Sequence, residues 1–134
     1  MRAPAALLLA LLSTAVTAQE QNPPIDCSRA TSTVELNACE DRELAAADKR
    51  LNEAYRAALL RIDQAASHDA NLKREWRQAF QDAQRKWIAF RDADCKGPIA
   101  YEWYGGSGAT LAVLGCLRGK TEARAKELRE YLAR

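Results

Sequence analysis

DRELAAADKRLNEAYRAALLRI, residues 41–62, is the stretch whose reading decides the fold. Leu44, Leu51, Tyr55, Ala58, Leu59 and Ile62 recur at three- and four-residue spacings or sums of them, while Lys49, Arg50, Glu53, Arg56 and Arg61 lie mostly on the other side. At 100° per residue this is an amphipathic helix with one apolar stripe. Residues 64–71, with Ser67, His68 and Asp69, are a polar connector. Beyond it, LKREWRQAFQDAQRKWIAFRDAD, residues 72–94, predicts a second long helix with Leu72, Trp76, Ala79, Phe80, Ala83, Trp87 and Phe90 on one face. Two long helices joined by a short connector pack antiparallel.

Working outward, Ser32 and Glu35 have capping-box spacing. They predict a short separate helix through Leu36 to about Cys39, with Glu40-Asp41 capping the long one. On the other side, Gly97-Pro98 stops the second long helix. Tyr101 to Gly108 is aromatic and then glycine-rich, a loop. A last helix starts near Ala109 or Thr110 and carries Leu111, Leu114, Leu117, Ala125, Leu128 and Leu132. Gly115 and Gly119 weaken it by about 1 kcal/mol each relative to Ala, and mark close helix contact or a kink. No segment reads as a strand. The expected fold is all-α: a small antiparallel helical bundle, made of a long helical hairpin plus a short N-terminal and a C-terminal helix.

The first residues predict the compartment. Arg2 is a short positive region, Ala5 to Leu12 is an unbroken Ala/Leu run, and Val16-Thr17-Ala18 is a small-x-small cleavage signal before Gln19. The run is shorter than the roughly 20 apolar residues that span a bilayer, so residues 1–18 read as a signal peptide. The residue directly after the cleavage point is Gln19 and not a cysteine, which argues against a lipid anchor. Gln19 to Ile25, with Pro23-Pro24, reads as a mobile leader, and residues 26–134 as the domain. Cleavage takes Arg2 from the 20 Lys and Arg and leaves 18 Asp and Glu, a net charge of +1. That balance argues against a nucleic-acid binder, which carries a strongly basic face.

Cys27, Cys39, Cys95 and Cys116 all lie after the signal, and in an exported chain they read as two disulfides. Three pairings are open to four cysteines. The local one, Cys27 to Cys39 and Cys95 to Cys116, is favoured because each pair flanks one short excursion. Crossed pairing such as Cys39 to Cys116 stays open, since the helix over 41–62 begins near where the helix over 72–94 ends. A metal site is not expected: the cysteines are far apart and His68 is the only histidine.

Catalytic machinery is thin throughout. His68 has no second histidine to work with. Ser107 follows Gly105 as a nucleophile elbow would require, but Ala109 stands where that motif needs its other glycine, and no strand precedes it. No Lys-Ser or Lys-Thr follows the glycines as a phosphate loop would need. The expectation is a binding protein, not an enzyme, with no cofactor.

Two features stand out. Asp48 projects onto the apolar stripe, between Leu44, Leu51 and Tyr55, where a carboxylate must be paired. Across an antiparallel hairpin its neighbours are Trp87 and Arg91, both donors, and a buried polar contact among the three is expected. The second is Tyr101, Glu102, Trp103, Tyr104 and Ser107, an inventory typical of binding surfaces. Its alternative is that the rings cover the bundle end.

An ordered set of residues runs from Asp26-Cys27 through Glu35-Leu36-Asn37-Ala38-Cys39 to Asp48, Leu51-Asn52 and Tyr55. It continues with Ala83-Gln84, Trp87, Phe90-Arg91-Asp92 and Cys95, then Gly105-Gly106-Ser107. Cys116-Leu117, Thr121, Arg124 and Glu127-Leu128 complete it, and as a set it resembles the lysozyme-inhibitor LprI-like family. The resemblance covers Asp26 to about Leu132 and implies an exported, helical, cysteine-linked protein without known catalysis. Lysozyme inhibition is attached to a lipoprotein member of that family, from which this chain departs in lacking the anchoring cysteine. The resemblance thus implies a periplasmic or secreted binding protein of lysozyme-inhibitor type, with a lysozyme as protein partner. The competing class is a structural or envelope-maintenance protein with a periplasmic protein partner.

Overall fold

The computed structural model describes residues 25–133. The expected signal peptide, and all of the expected leader except Ile25, lie outside them. The described elements are four helices: α1 (Thr33–Asp63), α2 (Ala70–Lys96), α3 (Pro98–Glu102) and α4 (Ala109–Leu132).

α1 corrects the sequence reading, because the short N-terminal helix and the long one are a single helix of 31 residues. Nothing between Cys39 and Leu44 breaks a helix, and Glu40 reaches across to Arg118 of α4 instead of capping. The capping box itself stands at Ser32. Its hydroxyl accepts from the Glu35 N–H at 3.2 Å, and the Glu35 carboxylate accepts from the Ser32 N–H at 3.0 Å. At the start of α2, the Asp69 side chain accepts from the N–H groups of Asn71 and Leu72.

Side-chain contacts give the directions. Glu40 pairs with Arg118, Arg50 with Glu122 at 3.2 Å, and Arg61 donates to the Tyr131 carbonyl at 2.7 Å. Positions advance together, so α1 and α4 run parallel. α2 runs against both: Tyr55 stacks on Phe80, Arg77 pairs with Asp63 at 2.6 Å, and Lys120 with Asp94 at 3.0 Å.

α1 and α2 form the expected antiparallel hairpin, yet α1 packs most intimately on α4. Side-chain size explains it. Ala47, Ala54 and Ala58 of α1 and Thr121 and Ala125 of α4 are buried and small, so the two backbones approach closely. Leu51, Ala54, Ala125 and Leu128 form the core, and α2 rides over it on Phe80 and Trp87. The buried line of α2 also differs from the expected one. Phe90 is 58 % exposed, and Leu72, Ala79 and Ala83 are exposed as well. The inward line runs Phe80, Gln84, Trp87, Arg91, Cys95, because the Cys95 disulfide and the bonds that Gln84 and Arg91 make to α4 hold that side inward.

The cysteines pair locally, Cys27 with Cys39 and Cys95 with Cys116, with Cα–Cα distances of 5.7 and 5.6 Å. No described helix is long and apolar enough to cross a membrane.

Candidate functional site

The segment between α2 and α4 is built from short turns. Pro98 occupies the first turn of α3, where its missing N–H costs nothing. Tyr101 and Glu102 close that helix, so they belong to a helical turn and not to an open loop as expected. The chain then folds on itself. The Tyr104 N–H donates to the Tyr101 carbonyl at 3.0 Å, Gly106 to Trp103 at 2.7 Å, and Ala109 to Gly106 at 2.9 Å. Tyr104 has φ 48° and Gly105 φ 69°, a left-handed pair that reverses the chain. For tyrosine that conformation costs on the order of 1–2 kcal/mol.

The rings point outward. Tyr101 is 81 % exposed and Tyr104 97 %, while Glu102 and Ser107 are exposed too. Trp103, 49 % exposed, is the one ring that covers the bundle end in part. It lies directly over Gly108, where any Cβ would overlap its six-membered ring. The Cys95–Cys116 disulfide clamps the base of the excursion, with Cys95 fully buried.

Beneath this segment a polar cluster joins three helices. Arg91 Nη1 donates to Asp48 Oδ1 at 3.1 Å and to Thr121 Oγ1 at 2.9 Å, and Nε donates to Asp92 Oδ1 at 2.9 Å. Its guanidinium sits 5.5 Å from the Trp87 ring centre, with that of Arg124 at 5.9 Å. Arg124 Nε in turn donates to the buried Gln84 Oε1 at 3.1 Å. The expectation of a buried Asp48 is corrected here. Its side chain is 43 % exposed, and the buried member is Arg91 at 14 %. The arginine is long enough to enter the seam, so the short carboxylate stays at its edge. Trp87 meets the cluster through its ring face and not by donating to Asp48. Lys96, at 2.8 Å, and Arg91 hold the Asp92 carboxyl below the usual carboxylate range.

Gln84, Thr121 and Arg124 entered the sequence reading only through the family resemblance, although Gln84, four after Phe80, and Thr121, four after Leu117, stand on apolar stripes as Asp48 does. The cluster's charges are matched by partners, which is what a scaffold requires. Asp94, Cys95 and Cys116 also cluster, but both sulfurs are in the disulfide and Asp94 is paired with Lys120.

A third feature was not legible in the sequence. A groove of about 380 Å³ opens between the N-terminal parts of α1 and α4. It is lined by the Cys27–Cys39 disulfide, Leu36, Glu40, Glu43, Leu111, Gly115 and Arg118. Because α1 and α4 are parallel, it lies at the same end of the bundle as the aromatic segment. Its Glu40–Arg118 pair raises the already high pKa of Arg118, chiefly by the hydrogen bond to Glu40.

Fold and site together define a small, disulfide-clamped helical domain that presents aromatic rings from a held turn over a partnered polar cluster. The model of the family described as "Lysozyme inhibitor LprI" matches residues 26–128. An uncharacterized protein of Rhizobium meliloti (strain 1021) is 35 % identical over 135 residues, covering 98 % of this chain and 96 % of that protein. No solved structure matches. The chain belongs to the LprI lysozyme-inhibitor family. That membership indicates an inhibitor-like function toward a protein partner, and the two disulfides fit an extracytoplasmic protein.

Proposed function

We propose that this protein is exported, cleaved after Ala18, and acts in the periplasm as a lysozyme inhibitor whose contact surface is Tyr101 to Gly108. The observation that carries the reading is the nearly complete exposure of Tyr101 and Tyr104 on a turn clamped by Cys95–Cys116. A lysozyme cleft accepts a sugar chain, so a plug needs flat amphipathic rings with polar tips. Tyr104 and the open face of Trp103 suit sugar subsites. Ser107, flanked by Gly106 and Gly108, suits close approach to catalytic carboxylates as a hydroxyl donor. Exposed Glu102 favours encounter with a cationic rim. The clamp and the turn hydrogen bonds limit the entropy lost on docking.

The experiment is a cell-wall lysis assay with purified mature protein against several lysozymes, comparing the parent with Tyr104→Asn/Ser107→Ala. Asparagine tolerates the left-handed backbone at position 104, so folding is kept. Loss of an anchoring ring at about 2 kcal/mol weakens inhibition about 30-fold. Equal inhibition by parent and variant removes the turn as the site. A parent that inhibits no lysozyme removes the inhibitor reading. The protein is then an envelope factor, to be identified by the periplasmic protein it retains in a pull-down.

A further inference from the structure

We infer that the groove between α1 and α4 is a second contact site, one that receives an apolar side chain lying next to a Lys or Arg of a protein partner. The inference rests on the reading that the partner docks at this end of the bundle. Leu36, Leu111 and the Cys27–Cys39 disulfide give the groove apolar walls, and Gly115 leaves its floor open. A Cβ at Gly115 would stand 3.7 Å from the Glu40 carboxylate, an ordinary contact, so the space beyond it is real and unfilled by described side chains.

The charges differ in availability. Glu40 is engaged by Arg118, on the opposite wall. Glu43, one helical turn further along α1, also lines the groove and is exposed, with no cation paired to it among the described residues. Arg42, at the Cys27 edge, is engaged by the Ile25 carbonyl and by Cys27 Sγ, so the unpaired carboxylate of Glu43 selects an occupant with an apolar body and a cationic neighbour. The charge speeds encounter, and on docking it accepts a charge-assisted hydrogen bond. Exposed Glu102, at the same end, adds potential of the same sign. The chain's own residues 19–24, QEQNPP, do not have this chemistry: they contain no Lys or Arg, and Glu20 repeats the charge of Glu43.

The test follows backbone amide shifts of the isotope-labelled mature chain during titration with acetyl-Leu-Arg-amide and, separately, acetyl-Leu-Glu-amide. Saturable shifts at Leu36, Leu111 and Gly115 are expected, about threefold tighter for the arginine peptide, as an exposed ion pair gives. Gly115→Leu fills the groove from a position where a Cβ fits and helix propensity improves, and it abolishes those shifts. Glu43→Lys, an exposed change, reverses the preference between the two peptides and serves if Gly115→Leu does not fold. The site is overturned by unsaturable shifts, by equal response to both peptides, or by a response unaltered in the variants. It is equally overturned if deleting residues 19–24 shifts the same amides, since the leader would then be the occupant. Lysis assays run alongside separate the two readings. Inhibition by the parent without peptide binding removes the groove and keeps the turn. Peptide binding without inhibition of any lysozyme keeps the groove and removes the lysozyme reading.

Discussion

Arg91 reaches from α2 into the seam between α1 and α4 and there meets Asp48, Thr121, Asp92 and the face of Trp87. Truncating it leaves the fully buried Thr121 without its hydrogen-bond donor and Asp48 without its cation. Arg91→Ala is therefore expected to lower stability in urea by about 3 kcal/mol. Asp48→Ala should cost only about 1 kcal/mol, because the carboxylate that is lost was half-exposed and Arg91 keeps Thr121 and Asp92 as partners. Equal losses for the two variants would mean that Asp48 is as buried as its place on the stripe suggested. Asp92 adds a pH dependence. Its carboxyl titrates below the ordinary 3.8 in the folded protein, so its contribution is complete above about pH 4 and is lost as pH falls through the lower folded value. Asp92→Asn should flatten that part of the acid limb when unfolding midpoints are compared from about pH 6 to about pH 2. The pairing of Asp48 with Arg91 was legible because an antiparallel hairpin brings them together. The exposure was not, since it depends on where α4 lies.

At the level of elements, α1 depends on its start. Ser32 and Glu35 satisfy each other's backbone N–H groups, and Ser32→Ala is expected to cost about 1 kcal/mol, read as a lower thermal midpoint. The sequence reading placed this cap correctly and then ended the helix too early. Cys39-Glu40-Asp41 contains side chains that can cap, but only the position of Arg118 shows that Glu40 is used otherwise. The turn before α4 has its own dependence. Trp103 rests on Gly108, so Gly108→Ala must displace the indole. A red-shifted tryptophan emission with little change in the unfolding midpoint is the expected signature. An unchanged spectrum would place Trp103 elsewhere.

Taken whole, the molecule concentrates its crosslinks at one end: both disulfides, the groove and the aromatic turn lie where α1 and α4 begin and α2 stops. The two bridges are not equivalent. Cys95 is fully buried and its bridge ties α2 to α4, so the Cys95→Ala/Cys116→Ala pair should lose about 3 kcal/mol. Cys27 is exposed and tethers residues 25–32, nearly all of them exposed, so Cys27→Ala/Cys39→Ala should lose measurably less in the same denaturation assay. The reverse order would show that the N-terminal tether, and not the α2–α4 link, limits unfolding.

What the sequence by itself determined is local. The helical periods of α1, α2 and α4, the cap at Ser32 and the stop at Gly97-Pro98 each depend on residues within a few turns, whereas the cysteine pairing was favoured by the sequence and decided by the fold. Interhelical distance is different, because it is set by side chains from two remote segments at once. Ala47, Ala54 and Ala58 become a close-packing surface only opposite Thr121 and Ala125. That match draws α1 to α4, sets α2 outside them, and turns Gln84 and Arg91 inward while Phe90 is left in solvent. The groove exists for the same reason: Gly115 opens a space only because the parallel packing of α1 and α4 sets Leu36 and Glu43 beside it.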